Sequence, residues 1–289
     1  EIVSREIPAA HVRQLRDLLR RKPVIWDNLH ANDYDGRRFY CGPYAGRPAE
    51  LRGEVRGLLS NPNNEFSLNY VPLRTFAEFV RCAGEERRVY AAEPAKATHC
   101  PAVWDARQAY LSAMREWLPR FATLGQPVAL EDLILFGDCY YLPHEEGPEA
   151  EALYDRARSL LATNPAQWGE EATAFRRQTA RLRQFCARLT ELRHRPLFYA
   201  LSRRIWELRE ELDLLEGYVQ FKSARGRADA ACRSDFHLPG TCRGGLVARL
   251  QRLLVQQPNG AFVPAPPSVP SVPIRPIIKQ AKPPTPSRP

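Results

Sequence analysis

The 289-residue chain contains a single methionine, Met114, and none at its start. Its opening, Glu1-Ile2-Val3-Ser4-Arg5-Glu6, also lacks the basic start and apolar run of a signal peptide. The chain is therefore expected to begin within a larger protein. Long apolar runs are missing too: stretches such as Val24 to Trp26 and Leu133 to Phe136 fall far short of the roughly 18 residues a membrane span needs, and no membrane partner is expected. The seven cysteines (Cys41, Cys82, Cys100, Cys139, Cys186, Cys232, Cys242) contain no CxxC pair, and their odd number and scattered spacing do not resemble a disulfide framework. They read as reduced thiols of a cytoplasmic and nuclear protein, and neither a metal site nor a cofactor is expected.

Acidic residues are in deficit, 33 against 42 basic ones, giving a formal charge of +9. The excess is almost entirely arginine. Arg176, Arg177, Arg181, Arg183, Arg188, Arg193 and Arg195 share one stretch, which raises nucleic acid as a partner. Glu170, Glu171, Glu191, Glu207, Glu210 and Glu211 interleave with them, and a face of mixed charge is ordinarily a solvated one. No nucleic-acid reader motif accompanies the charge, so nucleic-acid binding is not expected.

What is present is enough apolar material, 44% of residues, for a sizeable core. Val12, Leu15, Leu18 and Leu19 fall at helical spacing within Pro8 to Lys22, Pro23 stops that helix, and Val24-Ile25-Trp26 reads as a short buried strand. After a polar loop, the pattern predicts a helix from Pro48 to Leu59, a second strand through Phe66, Leu68 and Tyr70, and a helix from Pro72 to Arg81. Strands alternating with helices indicate a parallel α/β sheet, and two strands alone cannot bury both of its faces. Periodicity fails from Gly84 to Cys100, which places a linker at 84–100.

Beyond it every pattern is helical. Val103 to Phe121, Leu130 to Ile134 and Ala152 to Leu161 repeat at three or four residues. Trp168, Ala172, Phe175, Thr179, Leu182, Cys186 and Leu189 alternate spacings of four and three as in a heptad seam, and Leu197, Leu201, Ile205, Leu208, Leu212, Leu215 and Val219 follow after a break at Pro196. Two long helices joined by a short turn should pack antiparallel, so 101–254 reads as a helical bundle that folds without the preceding segment. A short helix from Gly245 to Leu254 precedes a proline-rich tail, 255–289, expected to be an extended linker.

The loop after the first strand, Pro23-Val24-Ile25-Trp26-Asp27-Asn28-Leu29-His30-Ala31-Asn32-Asp33-Tyr34-Asp35, offers carboxylates, amides and aromatics at a strand's carboxyl end, where α/β folds bind ligands. These are the groups that recognise sugar hydroxyls and the apolar face of a pyranose ring. Asp27 and Asp35 are equally compatible with ending a strand and turning a loop. His30 with Asp27 and Asp33 could be drawn as a metal cluster, but a lone loop histidine is ordinarily a packing or surface residue.

This loop, followed by GPYAGR (Gly42 to Arg47) and NPNNEFSLNYVPLRT (Asn61 to Thr75), resembles the protein O-GlcNAcases of glycoside hydrolase family 84. LEDLILFGDCYYLPHEEGP (Leu130 to Pro148) and RGGLVARLQRLL (Arg243 to Leu254) resemble the family's helical stalk. AFVPAPPS and VPIRP resemble its following linker. The resemblance implies a partial (β/α)8 TIM-barrel segment over 1–83, followed by an antiparallel stalk bundle over 101–254. It also implies substrate-assisted, retaining removal of O-linked N-acetylglucosamine from Ser and Thr of nuclear and cytoplasmic proteins. By the same resemblance Asn28, Asp33 and Asn61 should hydrogen-bond the sugar, and Trp26 and Tyr34 should line its pocket. The stalk should form a homodimer in which Trp206, Tyr199 and Tyr218 reach a partner or its cleft, ordinary bundle core being the alternative for all three.

The family performs its chemistry with two adjacent aspartates, and this sequence has no Asp-Asp pair. The chain by itself is thus expected to be inactive. The other reading is a non-enzymatic helical dimerisation module with a vestigial sugar-binding edge.

Overall fold

The computed structural model describes residues 3–82, 104–225, 232–233 and 245–266. The expected linker at 84–100 lies outside them, as do Cys100, Cys242 and the tail beyond 266. Helices dominate the described residues, with few and short strands.

The first helix, α1 (Ala9–Leu19), buries Ala9 and Val12 and ends on Arg20, whose φ of 54° turns the chain out before Pro23. Strand β1 (Val24–Asp27) lies where the sequence predicts, but it is not the buried strand expected there: Val24 and Trp26 are exposed, Ile25 is half-buried, and only Asp27 is buried, because the strand is covered on one face alone. The next element differs in kind. Only Leu51–Glu54 is helical (α2), and Gly57–Ser60 is a strand, β2, parallel to β1 with Val24 opposite Gly57 and Asp27 opposite Ser60. The expected strand through Phe66, Leu68 and Tyr70 is instead a 3-10 turn, Phe66–Leu68, running into helix α3 (Tyr70–Arg81). Leu51, Val55, Leu58 and Leu59 sit at helical spacings, which masks the strand, but Gly53 and Gly57 weaken any helix there.

One face of the β1-β2 pair is covered. Ile25 and Leu58 pack against Ile7, Val12, Leu51 and Val55 from α1, α2 and their flanks. The opposite face carries Val24, Trp26 and Leu59, all exposed, with Trp26 at 68%.

The rest is helical: α4 (Ala106–Trp117), α5 (Leu130–Asp138), α6 (Pro148–Ala162), α7 (Gly169–Arg188), α8 (Arg195–Arg225) and α9 (Gly245–Gln251). Asp105 caps α4 by accepting from the Gln108 amide, and Pro148 opens α6 where a missing N–H costs nothing. Every residue of the two predicted seams on α7 and α8 is buried. Arg183 pairs with Asp213 and Thr179 reaches Glu216, so the two helices run antiparallel. Pro196 stands in the first turn of α8, and the reversal lies before it, through a 3-10 turn at Leu189–Glu191.

Residues 255–264, expected to be an extended tail, fold back. Leu254–Gln256 (β4) and Ala261–Pro264 (β5) pair antiparallel, and Phe262 enters the core. Cys232–Arg233 (β3) pairs with the other edge of β5.

The core does not divide at the linker. Leu29, Phe39, Tyr44, Leu68, Val71 and Phe79 belong to the same buried cluster as Tyr110, Phe136, Phe185 and Leu208. Phe39 stacks on Tyr140 at 4.4 Å between ring centroids, and Phe79 meets Trp104 edge-on at 5.4 Å. At Gly42, whose amide bonds the Tyr141 carbonyl at 2.8 Å, a Cβ would stand 2.4 Å from that oxygen, so only glycine admits this approach.

Candidate functional site

The parallel pairing brings the carboxyl ends of β1 and β2 side by side. Asn28 and Asn61 are the next residue after each strand. The Asn61 amide donates to the Asp27 carbonyl at 2.8 Å, and the Asn61 side-chain Nδ2 donates to Asn28 Oδ1 at 3.1 Å. Both side chains are half-buried and joined across 33 residues of sequence. Their remaining amide donors and acceptors can serve a ligand.

Beneath them, Asp27 is buried and fully occupied. Its Oδ1 accepts from the Leu29 amide at 3.0 Å and Arg47 Nη2 at 2.6 Å, while Oδ2 accepts from the Tyr44 hydroxyl and Arg47 Nε, each at 2.7 Å. Burial alone would raise the carboxyl's pKa, but the Arg47 guanidinium and Tyr44 hydroxyl outweigh it and hold the group below its usual range. Asp27 is thus a fixed anion that braces the strand end, with no lone pair left for a ligand. His30 is buried nearby, donating Nε2–H to the Gly42 carbonyl at 3.0 Å. Burial lowers its pKa to about 4, so the ring is neutral at pH 7.

The other predicted residues scatter around this edge. Asp33 is exposed and Tyr34 is half-buried, its hydroxyl 2.6 Å from that of Tyr40. Trp26 stands on the uncovered sheet face. Asp35 is buried and turns the loop, accepting from the Arg37 amide at 3.2 Å. On α8, Tyr199 and Trp206 are exposed, whereas Tyr218 lies in the core.

Several residues that shape the site carry no role in the sequence reading. Asn63 exchanges hydrogen bonds with the Tyr40 backbone, at 2.8 and 2.9 Å, and with Asn69, locking the two loops together. Tyr44 and Arg47 were visible only as members of the GPYAGR motif, and nothing in their spacing points to Asp27. Among the described residues no group of three or more His, Cys, Asp or Glu side chains could hold a metal ion, and no helix is long and apolar enough to cross a membrane. Cys41, Cys82, Cys139 and Cys186 are buried and form no disulfide with one another.

The arrangement is suited to recognition: amides that donate and accept, an exposed carboxylate, and an exposed indole.

Residues 1–116 match the family model described as beta-N-acetylglucosaminidase. The protein O-GlcNAcases of Rattus norvegicus and Mus musculus are each 47% identical over 81 residues, which is 28% of this chain and 9% of either relative. The matched segment thus spans about a tenth of those proteins. Among solved structures, CpGH84B superposes with a TM-score of 0.56 at 15% identity, covering 76% of this chain and 35% of that one. A mutant of the Thermobaculum terrenum O-GlcNAc hydrolase gives a TM-score of 0.54 at 19% identity, covering 78% and 46%. The family match and the mammalian relatives show the first part of the chain to be O-GlcNAcase-like, and the structural likeness carries the fold similarity into the helical region.

Proposed function

We propose that this chain is the sugar-binding edge and stalk of a protein O-GlcNAcase, the β-N-acetylglucosaminidase that removes O-linked N-acetylglucosamine from Ser and Thr of nuclear and cytoplasmic proteins. The observation that carries the reading is the joined Asn28–Asn61 pair just past the ends of two parallel strands, with exposed Trp26 on β1 and exposed Asp33 in the loop that follows it. Ligands of α/β barrels bind at that end of the strands. The bare sheet face of Val24, Trp26 and Leu59 supports a partial barrel, since further strands are what would cover it. In this reading Asn28, Asn61 and Asp33 bind sugar hydroxyls or the acetamido group, Trp26 and Tyr34 line the pocket, and the paired aspartates of catalysis are supplied by sequence outside this chain. The bundle of α7 and α8 forms a homodimer, with exposed Tyr199 and Trp206 at or near the contact.

Titration of N-acetylglucosamine into the isotopically labelled 289-residue chain tests this. The side-chain amide signals of Asn28 and Asn61 and the Trp26 indole signal should move together, while an aryl N-acetylglucosaminide is not turned over above a mock preparation. Unmoved signals at high millimolar sugar would favour the second reading, an interaction module whose sugar-binding edge is vestigial.

A further inference from the structure

Arg204 lies on α8, 139 residues from Glu65 and 166 from Arg38, yet its buried side chain reaches both. Its Nη2 pairs with Glu65 Oε1, and its Nε donates to the Arg38 carbonyl at 3.2 Å. Asn32 bonds the other oxygen of the same carboxylate and the same carbonyl: its Nδ2 donates to Glu65 Oε2 at 3.0 Å and to the Arg38 carbonyl at 2.9 Å. Four hydrogen bonds thus close a ring through Arg204, Glu65, Asn32 and Arg38. Asn32 Oδ1 in turn accepts from the Asn64 amide at 2.8 Å, and Nη1 of Arg204 is anchored on its own helix at the Ala200 carbonyl, 2.7 Å away.

Each corner of the ring belongs to a segment with a stated part in the site. Asn32 immediately precedes Asp33 and Tyr34. Glu65 ends the loop that begins at Asn61. A second link lies one turn along α8, where Glu207 meets Arg37 at 3.3 Å. We infer that Arg204 is a positioning residue: α8 sets the two sugar-facing loops against each other through the Arg204–Glu65–Asn32 ring, so that the helical region fixes the geometry of Asp33, Asn28 and Asn61 without touching the ligand. The inference rests on the sugar-binding reading above for its functional meaning, while the ring itself is a matter of loop order.

The physical case is one of charge and geometry. A guanidinium presents fixed parallel donors, so it can hold a carboxylate and a carbonyl at a set spacing, which a lysine ammonium does not. Glu65 is partly exposed, so the pair is held less by burial than by the four bonds closing on one another.

The test compares the full chain with Arg204→Ala, Arg204→Lys and Glu65→Gln, using amide exchange and N-acetylglucosamine titration side by side. In Arg204→Ala the Asn64 and Asp35 amides should exchange faster by an order of magnitude or so, that being the scale of one lost charge-assisted bond. Amides in the middle of α7, such as Leu182, should keep their wild-type rates, and sugar affinity should fall by a similar factor. Glu65→Gln keeps an acceptor for Asn32 and should give a smaller change, and Arg204→Lys should restore charge but only part of the protection. Loop and α7 amides accelerating equally would make Arg204 a general stability residue and overturn the inference, as would unchanged loop exchange in Arg204→Ala. If the wild-type chain binds no sugar, the sugar-binding reading fails, and the exchange rates still decide whether Arg204 orders the loops.

Discussion

Arg47 grips Asp27 by both edges, Nε on one carboxylate oxygen at 2.7 Å and Nη2 on the other at 2.6 Å, with neither side chain reached by solvent. The contact spans 20 residues and ties the end of β1 to the close of the following loop. Arg47 also donates to the Arg5 carbonyl at 2.8 Å and to Ser4, so the segment before α1 is drawn to the same point.

Breaking that pair should be costly. Arg47→Ala strands a buried carboxylate, and losing one partner of a buried, hydrogen-bonded ion pair typically costs about 3 to 5 kcal/mol. Denaturant unfolding should register a loss of that order, with Arg47→Lys recovering only part because it cannot bridge both oxygens. The Asp27 carboxyl is held below its reference value of 3.8, so its contribution is complete above that pH and disappears as the pH falls through the lower folded value. A loss below about 1 kcal/mol for Arg47→Ala would show that the strand end does not depend on the pair.

His30 makes a second, separable acid sensitivity. Its folded pKa is about 4 against a reference of 6.5, chiefly because the ring is fully buried. The unfolded chain takes up a proton as the pH falls below 6.5 and the folded chain does not until about 4, so stability should decline across that window by about 3 kcal/mol in total. His30→Gln, which can still donate to the Gly42 carbonyl, should flatten the decline between those values. A variant with the same slope as wild type would locate the acid sensitivity elsewhere.

How much of this was legible in the sequence varies with the range of the interaction. The seams of α7 and α8 were read residue by residue, because a heptad spacing reports directly on a helix face. β1 was legible from its abrupt apolar run. β2 was not, since Leu51, Val55, Leu58 and Leu59 mimic a helix while the strand buries only one face. Phe66, Leu68 and Tyr70 alternate without sharing a buried face: Phe66 is 90% exposed and Leu68 fully buried. At the site, Asn28, Asp33 and Asn61 are marked only by resemblance, and the residues that hold them, Arg47, Glu65 and Arg204, act across 20 to 166 residues, where no local pattern reaches.

Asp33 and Asp35 should separate cleanly. Asp33 is exposed, so Asp33→Ala should change stability by less than about 0.5 kcal/mol, while weakening N-acetylglucosamine binding roughly ten- to a hundredfold, the range of one hydrogen bond to a charged acceptor. Asp35 is buried and turns the loop, so Asp35→Ala should lower the melting temperature as well as the affinity. Equal effects of the two on both measurements would remove Asp33 from the sugar.

The shared core bears on whether the helical region can stand alone. Its own stripes argue that it can, but the first 82 residues supply packing that the helices do not replace. Phe39 stacks on Tyr140, Phe79 meets Trp104, the backbones of Cys41 and Gly42 bond the carbonyls of Tyr140 and Tyr141, and Arg74 pairs with Glu116. Removing that layer uncovers Phe136, Tyr140 and Tyr110, aromatic area worth about 1.5 to 3 kcal/mol for each side chain returned to water. A chain restricted to 104–289 should therefore keep its far-ultraviolet helix signal while losing near-ultraviolet ellipticity and binding a hydrophobic dye, the behaviour of a compact state without fixed packing. Cooperative unfolding of that shortened chain at the midpoint of the full chain would show instead that the helices carry their own stability, and that the contacts across the linker are an interface between two independent units.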